Sequence, residues 1–328
     1  MEREIRLEDW NREPGTRTEG YLRVPNTEIL MPVIIIDGAL DGPVTLITGG
    51  IHNAEYVGIE AVMELGHELS PDRIHGSIIL IPLVNRSGFE HRTMSLVYED
   101  GKNLNRVFPG NPHGSYADKI AFFMTEEIFK RVDYYIDLHC GDGFEILTPY
   151  VYSQGRASEE VVKKSKKMAQ AADVSFHVIS DVASKGAYNH AGSMGIPSIL
   201  IERGCLGCWS REEVNADIRD VYNILRHLKM ISGCPISYEK EQIIMDKVYY
   251  PMARRTGCWY PEKKVGDRVT KGELLGTIKD YFGRVHDRIH AQGNGVILYQ
   301  VMSLCIQQGD TMMCYGIFDE AESEETEA

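Results

Sequence analysis

Short, nearly unbroken apolar runs are the feature that most restricts what this chain can fold into. Residues 77–84 read Ser-Ile-Ile-Leu-Ile-Pro-Leu-Val and are bounded by turn residues. Residues 133–139 (Asp-Tyr-Tyr-Ile-Asp-Leu-His) and 198–201 (Ser-Ile-Leu-Ile) repeat the pattern. A strand wetted on one face alternates polar and apolar residues, so a continuous run indicates a strand covered on both faces. Helical spacing separates these runs. Val57, Ile59, Ala61, Val62, Leu65 and Leu69 form a stripe over residues 56–69, and residues 117–131, 158–172 and 211–230 also read as helices. Further strands are expected at residues 32–37 and 44–48, with an opening strand and loops in residues 1–30. Strands alternating with helices predict an α/β domain over residues 1–245, a mixed sheet in a three-layer α/β/α arrangement.

The texture changes after residue 245. Short β segments alternate with Gly-containing turns such as Val265-Gly266-Asp267 and Lys271-Gly272-Glu273. They predict a small all-β domain over residues 246–318. Residues 319–328 carry five Glu and no aromatic, the composition of a disordered acidic tail.

Composition excludes several roles. Lys plus Arg is 35 and Asp plus Glu is 48, a formal charge of −13. Such a surface lacks the basic footprint that nucleic-acid binding needs. No stretch approaches the roughly 18 consecutive apolar residues of a membrane span. The start, Met-Glu-Arg-Glu-Ile-Arg, lacks the basic and apolar segments of a signal peptide, so a cytoplasmic protein is expected. Seven cysteines, an odd number in a long chain, agree with reduced thiols. Homo-oligomerisation is left open.

Three expected strands end at or near residues able to do chemistry: His52, His139 and Glu202. In an α/β sheet, ligands bind beyond the carboxyl ends of the strands. His52 and Glu55, three apart at a helix start, can converge on one ion with His139. Two His and one carboxylate make a common catalytic zinc set with a fourth position left for water. Asp137 can hydrogen-bond a ligand imidazole from behind. Glu202 can carry a proton from the attacking water to the leaving nitrogen; its alternative role is an ion pair with Arg203. Arg106, beside Asn105 in an apolar frame, offers a planar fork for a carboxylate; the alternative is a surface loop arginine. His190 and Tyr188 are weaker candidates. Cys205 and Cys208 form a C-x-x-C with no second pair, and read as ordinary thiols rather than a structural zinc or redox pair.

The joint pattern resembles a known family. Gly-Gly-Ile-His52-Asn-Ala-Glu55, Asn103-Leu-Asn105-Arg106-Val-Phe-Pro-Gly, Ile136-Asp137-Leu-His139 and Ile201-Glu202-Arg-Gly204 look like the succinylglutamate desuccinylase/aspartoacylase family of the wider zinc carboxypeptidase superfamily. The likeness spans roughly residues 20–318. It implies a zinc-peptidase-like catalytic domain with one Zn²⁺ per chain on His52, Glu55 and His139, and Glu202 as general base and acid. It also implies that Asn105 and Arg106 bind a substrate carboxylate and that an upstream arginine, Arg92 or less favourably Arg86, steadies the oxyanion. The β domain looks biotinyl- or lipoyl-like, but Lys279 lacks a carrier lysine's surroundings.

The function expected is a zinc-dependent amide hydrolase that deacylates a small N-acyl amino acid or related carboxylate. Its rivals are a carboxypeptidase acting on short peptides or cell-wall fragments, and a non-catalytic ligand-binding homologue. The β domain is expected to pack beside the zinc edge and narrow the entrance, which favours small substrates.

Overall fold

A computed structural model of the chain describes residues 3–238 and 241–318; the expected acidic tail lies outside the described residues. The chain opens with β1 (Glu4–Ile5), β2 (Thr16–Arg23), β3 (Leu30–Asp37) and β4 (Leu40–Thr48). Helix α1 (Tyr56–Glu68), β5 (His75–Ile81), α2 (Arg86–His91) and α3 (Tyr116–Phe123) follow. Next come β6 (Tyr134–His139), β7 (Glu145–Leu147), β8 (Tyr150–Gln154), α4 (Glu159–Ala169) and β9 (Phe176–Ser180). Then follow α5 (Ala187–Ser193), β10 (Ser198–Glu202), α6 (Arg211–His227) and β11 (Ile243–Met245).

All these strands except β7 form one ten-stranded mixed sheet, in the order β1-β2-β3-β5-β4-β6-β10-β8-β9-β11. Its centre is parallel: β5, β4, β6 and β10 run side by side in one direction. Successive residues on these strands enter opposite cores, as a two-residue period requires. Ile47, Ile136, Leu138, Ile199 and Ile201 pack with α1, α4 and α6. Leu46, Tyr135 and Leu200 pack with α3 and α5 on the other face. Covering on both faces is what the unbroken apolar runs predicted.

Local chemistry sets the helix ends. Ser158 and Ser210 accept hydrogen bonds from the backbone N–H of Val161 and Glu213, satisfying donors that a helix start leaves open. The helix expected over residues 117–131 is divided. After α3, Met124–Ile128 form a π turn and Phe129–Arg131 a 3-10 turn. Met124, Ile128 and Phe129 are all buried, and the wider turn brings these close-spaced apolar residues to one side.

The chain beyond β11 is all β. Strands β12 (Val248–Tyr249), β13 (Gly257–Pro261), β14 (Arg268–Val269) and β15 (Leu274–Lys279) precede β16 (Val285–His290), β17 (Gly295–Val301), β18 (Cys305–Ile306) and β19 (Met313–Ile317). They make two small sheets, β12-β19-β17-β14 and β16-β15-β13-β18, around a core that includes Trp259, Leu275, Ile278 and Met313. Lys279 ends β15 with its ammonium 4.3 Å from the Tyr260 ring centroid. Strand β7, from the earlier half of the chain, pairs antiparallel with β17.

Helix α6 is tied to the end of β10 by charge as well as apolar packing. Arg203 is buried, with Nε 3.0 Å from Asp217 and Nη2 2.5 Å from Asp220. Removing one partner of a buried ion pair leaves uncompensated charge. Arg203→Met is therefore expected to lower the unfolding free energy by about 3–5 kcal/mol, read from urea denaturation; a change within error would show that the carboxylates re-solvate freely.

Candidate active site

The parallel centre of the sheet places three strand ends together. His139 is the last residue of β6 and Glu202 the last of β10, and the two are register partners. Neighbouring strands lie about 4.8 Å apart, so both side chains leave the same edge. His52 follows β4 by a tight turn. Gly50 takes a left-handed φ of +64° there, and a Cβ would meet the Leu83 side chain at 2.7 Å. Glu55 then takes the position just before α1, its side chain free of any capping hydrogen bond. Gly58, one turn on, lets α1 lie against β6, since a Cβ would meet the Leu138 carbonyl at 2.7 Å.

This turn and the end of β6 bring His52, Glu55 and His139 to one point. Nδ1 of His52 and Nδ1 of His139 each lie 2.7 Å from a Glu55 carboxylate oxygen. The three ligand atoms lie within 4.8 Å of one another. Each imidazole meets an oxygen acceptor at its far nitrogen. His52 Nε2 is 3.1 Å from Asn103 Oδ1. His139 Nε2 is 3.2 Å from Asp137 Oδ2, off the line of a well-formed hydrogen bond. With the proton on Nε2, both Nδ1 atoms present lone pairs to Glu55. Three acceptors facing each other need a positive charge among them. Burial alone would raise the Glu55 carboxyl, but positive charge on His139 and His52 holds it down to about 2. Burial would also depress His139; Glu55 and Asp137 outweigh it and push the imidazole well above its ordinary range. A metal ion meets the same demand, and two imidazoles with one carboxylate are a donor set suited to a divalent transition metal. The cluster could hold one.

The supports reach further back. Asp137 shares a face of β6 with His139, two residues on, and accepts a 2.7 Å hydrogen bond from Thr48 Oγ1. The Cys140 N–H donates to Glu55 Oε2 at 3.2 Å. Asn103 Oδ1 also accepts the Asn105 N–H at 2.9 Å, so one amide oxygen links His52 to the turn bearing Asn105 and Arg106.

A cleft of about 410 Å³ opens over the cluster. Asn105, Arg106, Tyr188 and Glu202 line it with the three ligands. The Ala187 N–H occupies Asn105 Oδ1 at 2.8 Å, so the amide NH₂ is the group left to donate. Arg106 is exposed and makes no ion pair among the described residues. Burial, with the charge of Glu55, pushes the Glu202 carboxyl well above its usual range. Glu202 is not the partner of Arg203, which turns to Asp217 and Asp220. Tyr250, Tyr299 and Thr311, from the chain beyond β11, line the same cleft.

Neither arginine expected at the oxyanion is among the residues that line the cleft. Arg92 is exposed and ends α2 in a left-handed conformation at φ +56°; it does not line the cleft. Arg86 turns to Glu90 at 2.7 Å and stacks over Tyr21. His190 packs against Phe108 and Phe129 instead of lining the cleft. Cys205 and Cys208 are free thiols; Cys205 Sγ bonds the Leu147 backbone. Sequence reasoning missed Asn103, Glu145 and the tyrosines Tyr150, Tyr152, Tyr250 and Tyr299. Asn103 had a signal, its place in Asn103-Leu-Asn105-Arg106; the others had none.

Known proteins share this fold. Along its length the chain is 27% identical over 312 residues, 89% of each protein, to the N-alpha-acetyl-L-2,4-diaminobutyric acid deacetylase of Halomonas elongata. It superposes with a TM-score of 0.81 at 25% identity on a succinylglutamate desuccinylase/aspartoacylase from Rhodobacter sphaeroides, covering 92% of this chain and 96% of that one. The product-bound ectoine utilization protein EutE of Ruegeria pomeroyi has the same fold, with a TM-score of 0.84 at 23% identity over 94% and 98% of the two chains. Residues 41–228, more than half of the chain and every proposed ligand included, match the succinylglutamate desuccinylase/aspartoacylase catalytic domain, and the chain belongs to that family.

Proposed function

We propose that the protein is a zinc-dependent hydrolase that removes the acyl group from a small N-acyl amino acid. The observation that carries this reading is the convergence of His52, Glu55 and His139 beside Glu202 in a cleft that also presents Asn105 and Arg106. The relative from Halomonas elongata, named as a deacetylase of an N-acetyl amino acid, supports it.

The chain's own residues have distinct tasks in this scheme. His52, Glu55 and His139 hold the ion, with Asn103 and Asp137 orienting the two rings. When bound, zinc would acidify water and polarise the acyl oxygen. Glu202 accepts the proton of the attacking water and delivers it to the departing nitrogen. Burial beside Glu55 raises that carboxyl, so it holds a proton more readily than an exposed carboxylate does. Asn105 and Arg106 bind the substrate carboxylate and so fix the amide over the site. We divide the chain after Met245: residues 246–318 form a second domain whose Tyr250, Tyr299 and Thr311 wall the entrance. That wall, and the size of the cleft, favour a small acyl amino acid over a peptide.

The metal assignment is expected to hold under direct measurement. Zinc-loaded protein should contain about one ion per chain, and His139→Ala should lose it. Asp137→Asn should weaken zinc by roughly 10- to 100-fold in competition with a chromophoric chelator. Full zinc in His139→Ala would put the ion elsewhere.

Glu202 is no ligand in this scheme. Glu202→Gln should keep its zinc yet turn over at least about 10²-fold more slowly; near-normal turnover would remove the proton-shuttle role.

Arg106→Lys should act poorly on the true substrate, because an ammonium cannot reproduce the two-pronged contact of a guanidinium. The carboxamide of that substrate should already be poor with the native protein. Equal rates for acid and amide would refute carboxylate anchoring.

A further inference from the structure

Two cysteines stand opposite each other in one of the small sheets. Cys258 on β13 and Cys305 on β18 are antiparallel register partners. One residue further along, the Trp259 N–H donates to the Leu304 carbonyl at 2.8 Å. The cysteines are therefore a non-hydrogen-bonded pair, the kind in which opposite residues approach most closely, with Cα atoms about 4.5 Å apart. Their neighbours Trp259 and Ile306 enter the core. Alternation along each strand sends both thiols to the opposite, outer face. Cys258 is half-buried there and Cys305 is exposed. Neither lines the cleft described above.

That spacing suits a covalent bond. Disulfides span Cα separations of roughly 4.4–6.8 Å and need Cβ atoms that do not point apart, a condition met by opposite residues on one face of a sheet. Among the described residues no other two cysteines are register partners. Cys140 and Cys314 are buried, and Cys205 is held by the Leu147 backbone. The place of the pair gives a bond something to do. β18 is two residues long and lies at the edge of its sheet, and a short edge strand held by few hydrogen bonds opens easily. Residues 302–304 join it to β17, whose last residue, Val301, accepts a 3.2 Å hydrogen bond from Trp259 Nε1. A bond from β13 to β18 would close this corner covalently.

We propose that Cys258 and Cys305 form a reversible disulfide that fastens β18 to β13. The oxidant is a small-molecule disulfide such as glutathione disulfide. The Cys305 thiolate, the more accessible of the two, attacks one sulfur of that reagent. The reagent's S–S bond breaks, one glutathione thiolate leaves, and Cys305 is held as a mixed disulfide. The Cys258 thiolate then attacks Cys305 Sγ; the Cys258–Cys305 bond forms and the second glutathione thiolate leaves. The protein gives up two protons and two electrons, the electrons reduce the reagent, and the protons pass to the two glutathione thiols. Excess thiol reverses both steps, because Cys305 Sγ is open to attack.

The test incubates the full-length protein with glutathione disulfide, quenches with acid, alkylates the remaining thiols and maps the peptides without reduction. A peptide pair joined through Cys258 and Cys305 is expected, and dithiothreitol should restore both thiols. Cys258→Ser should stop at the mixed disulfide, with glutathione retained on Cys305. Amide hydrogen exchange of residues 304–307 should slow by at least about tenfold in the oxidised native protein, a modest share of what a disulfide typically contributes, and recover on reduction. Cys258 and Cys305 recovered as free thiols, as separate glutathione adducts, or joined to other cysteines or to a second chain would overturn the site, whether or not the variant folds. Exchange unchanged by the bond would overturn the fastening of β18.

Discussion

The Nδ1 atoms of His52 and His139 each lie 2.7 Å from the Glu55 carboxylate. Asn103 Oδ1 and Asp137 Oδ2 stand behind the two rings. Rings held from behind in this way turn their lone pairs toward Glu55, and such a trio is stable only around a positive charge. Much of the surrounding structure serves to keep it together. Thr48 holds Asp137, and the Cys140 N–H holds Glu55. Asn103 ties His52 to the Asn105–Arg106 turn through a second hydrogen bond from the same oxygen. A shift of that turn would move the His52 imidazole with it, so the placement of Asn105 and Arg106 and that of His52 share one support.

The sheet explains how such a trio is reached from distant parts of the chain. β4, β6 and β10 are adjacent and parallel, so their carboxyl ends open at one edge. The two-residue period of β6 places Asp137 behind His139, and that of β10 places Leu200 beneath Glu202. Both Leu200 and Glu202 line the cleft. Apolar packing on the two faces fixes each strand's register, because a slip by one residue would turn its apolar set toward the wrong core. The position of the polar end residue follows from that packing.

The seam between β7 and β17 is the second structural decision. It binds the small sheets to the rim of the cleft through a hydrogen-bonded ladder, and it brings Glu145 and Leu147 to the cleft beside Tyr299. A wall built this way is stiffer than a domain hung on a linker. Charged and aromatic groups on it can be placed for recognition.

The places of His52, Glu55, His139 and Glu202 at or near strand ends and the α/β alternation were legible in the sequence because each rests on local order. Apolar runs announce buried strands, and a polar residue ending a run announces the sheet edge. The helix over residues 117–131 was misread for the opposite reason. A π turn after α3 is a response to packing, and no spacing rule anticipates it. Glu145 and the four tyrosines were invisible as a group because they come from β7, β8, the approach to β13 and β17, segments far apart in sequence. By itself the sequence determined which residues could take a metal and a proton and that they would stand at strand ends. Only the tertiary structure decided which other side chains share their cleft, because strand order and the β7–β17 pairing depend on long-range contacts that periodicity along the chain does not encode.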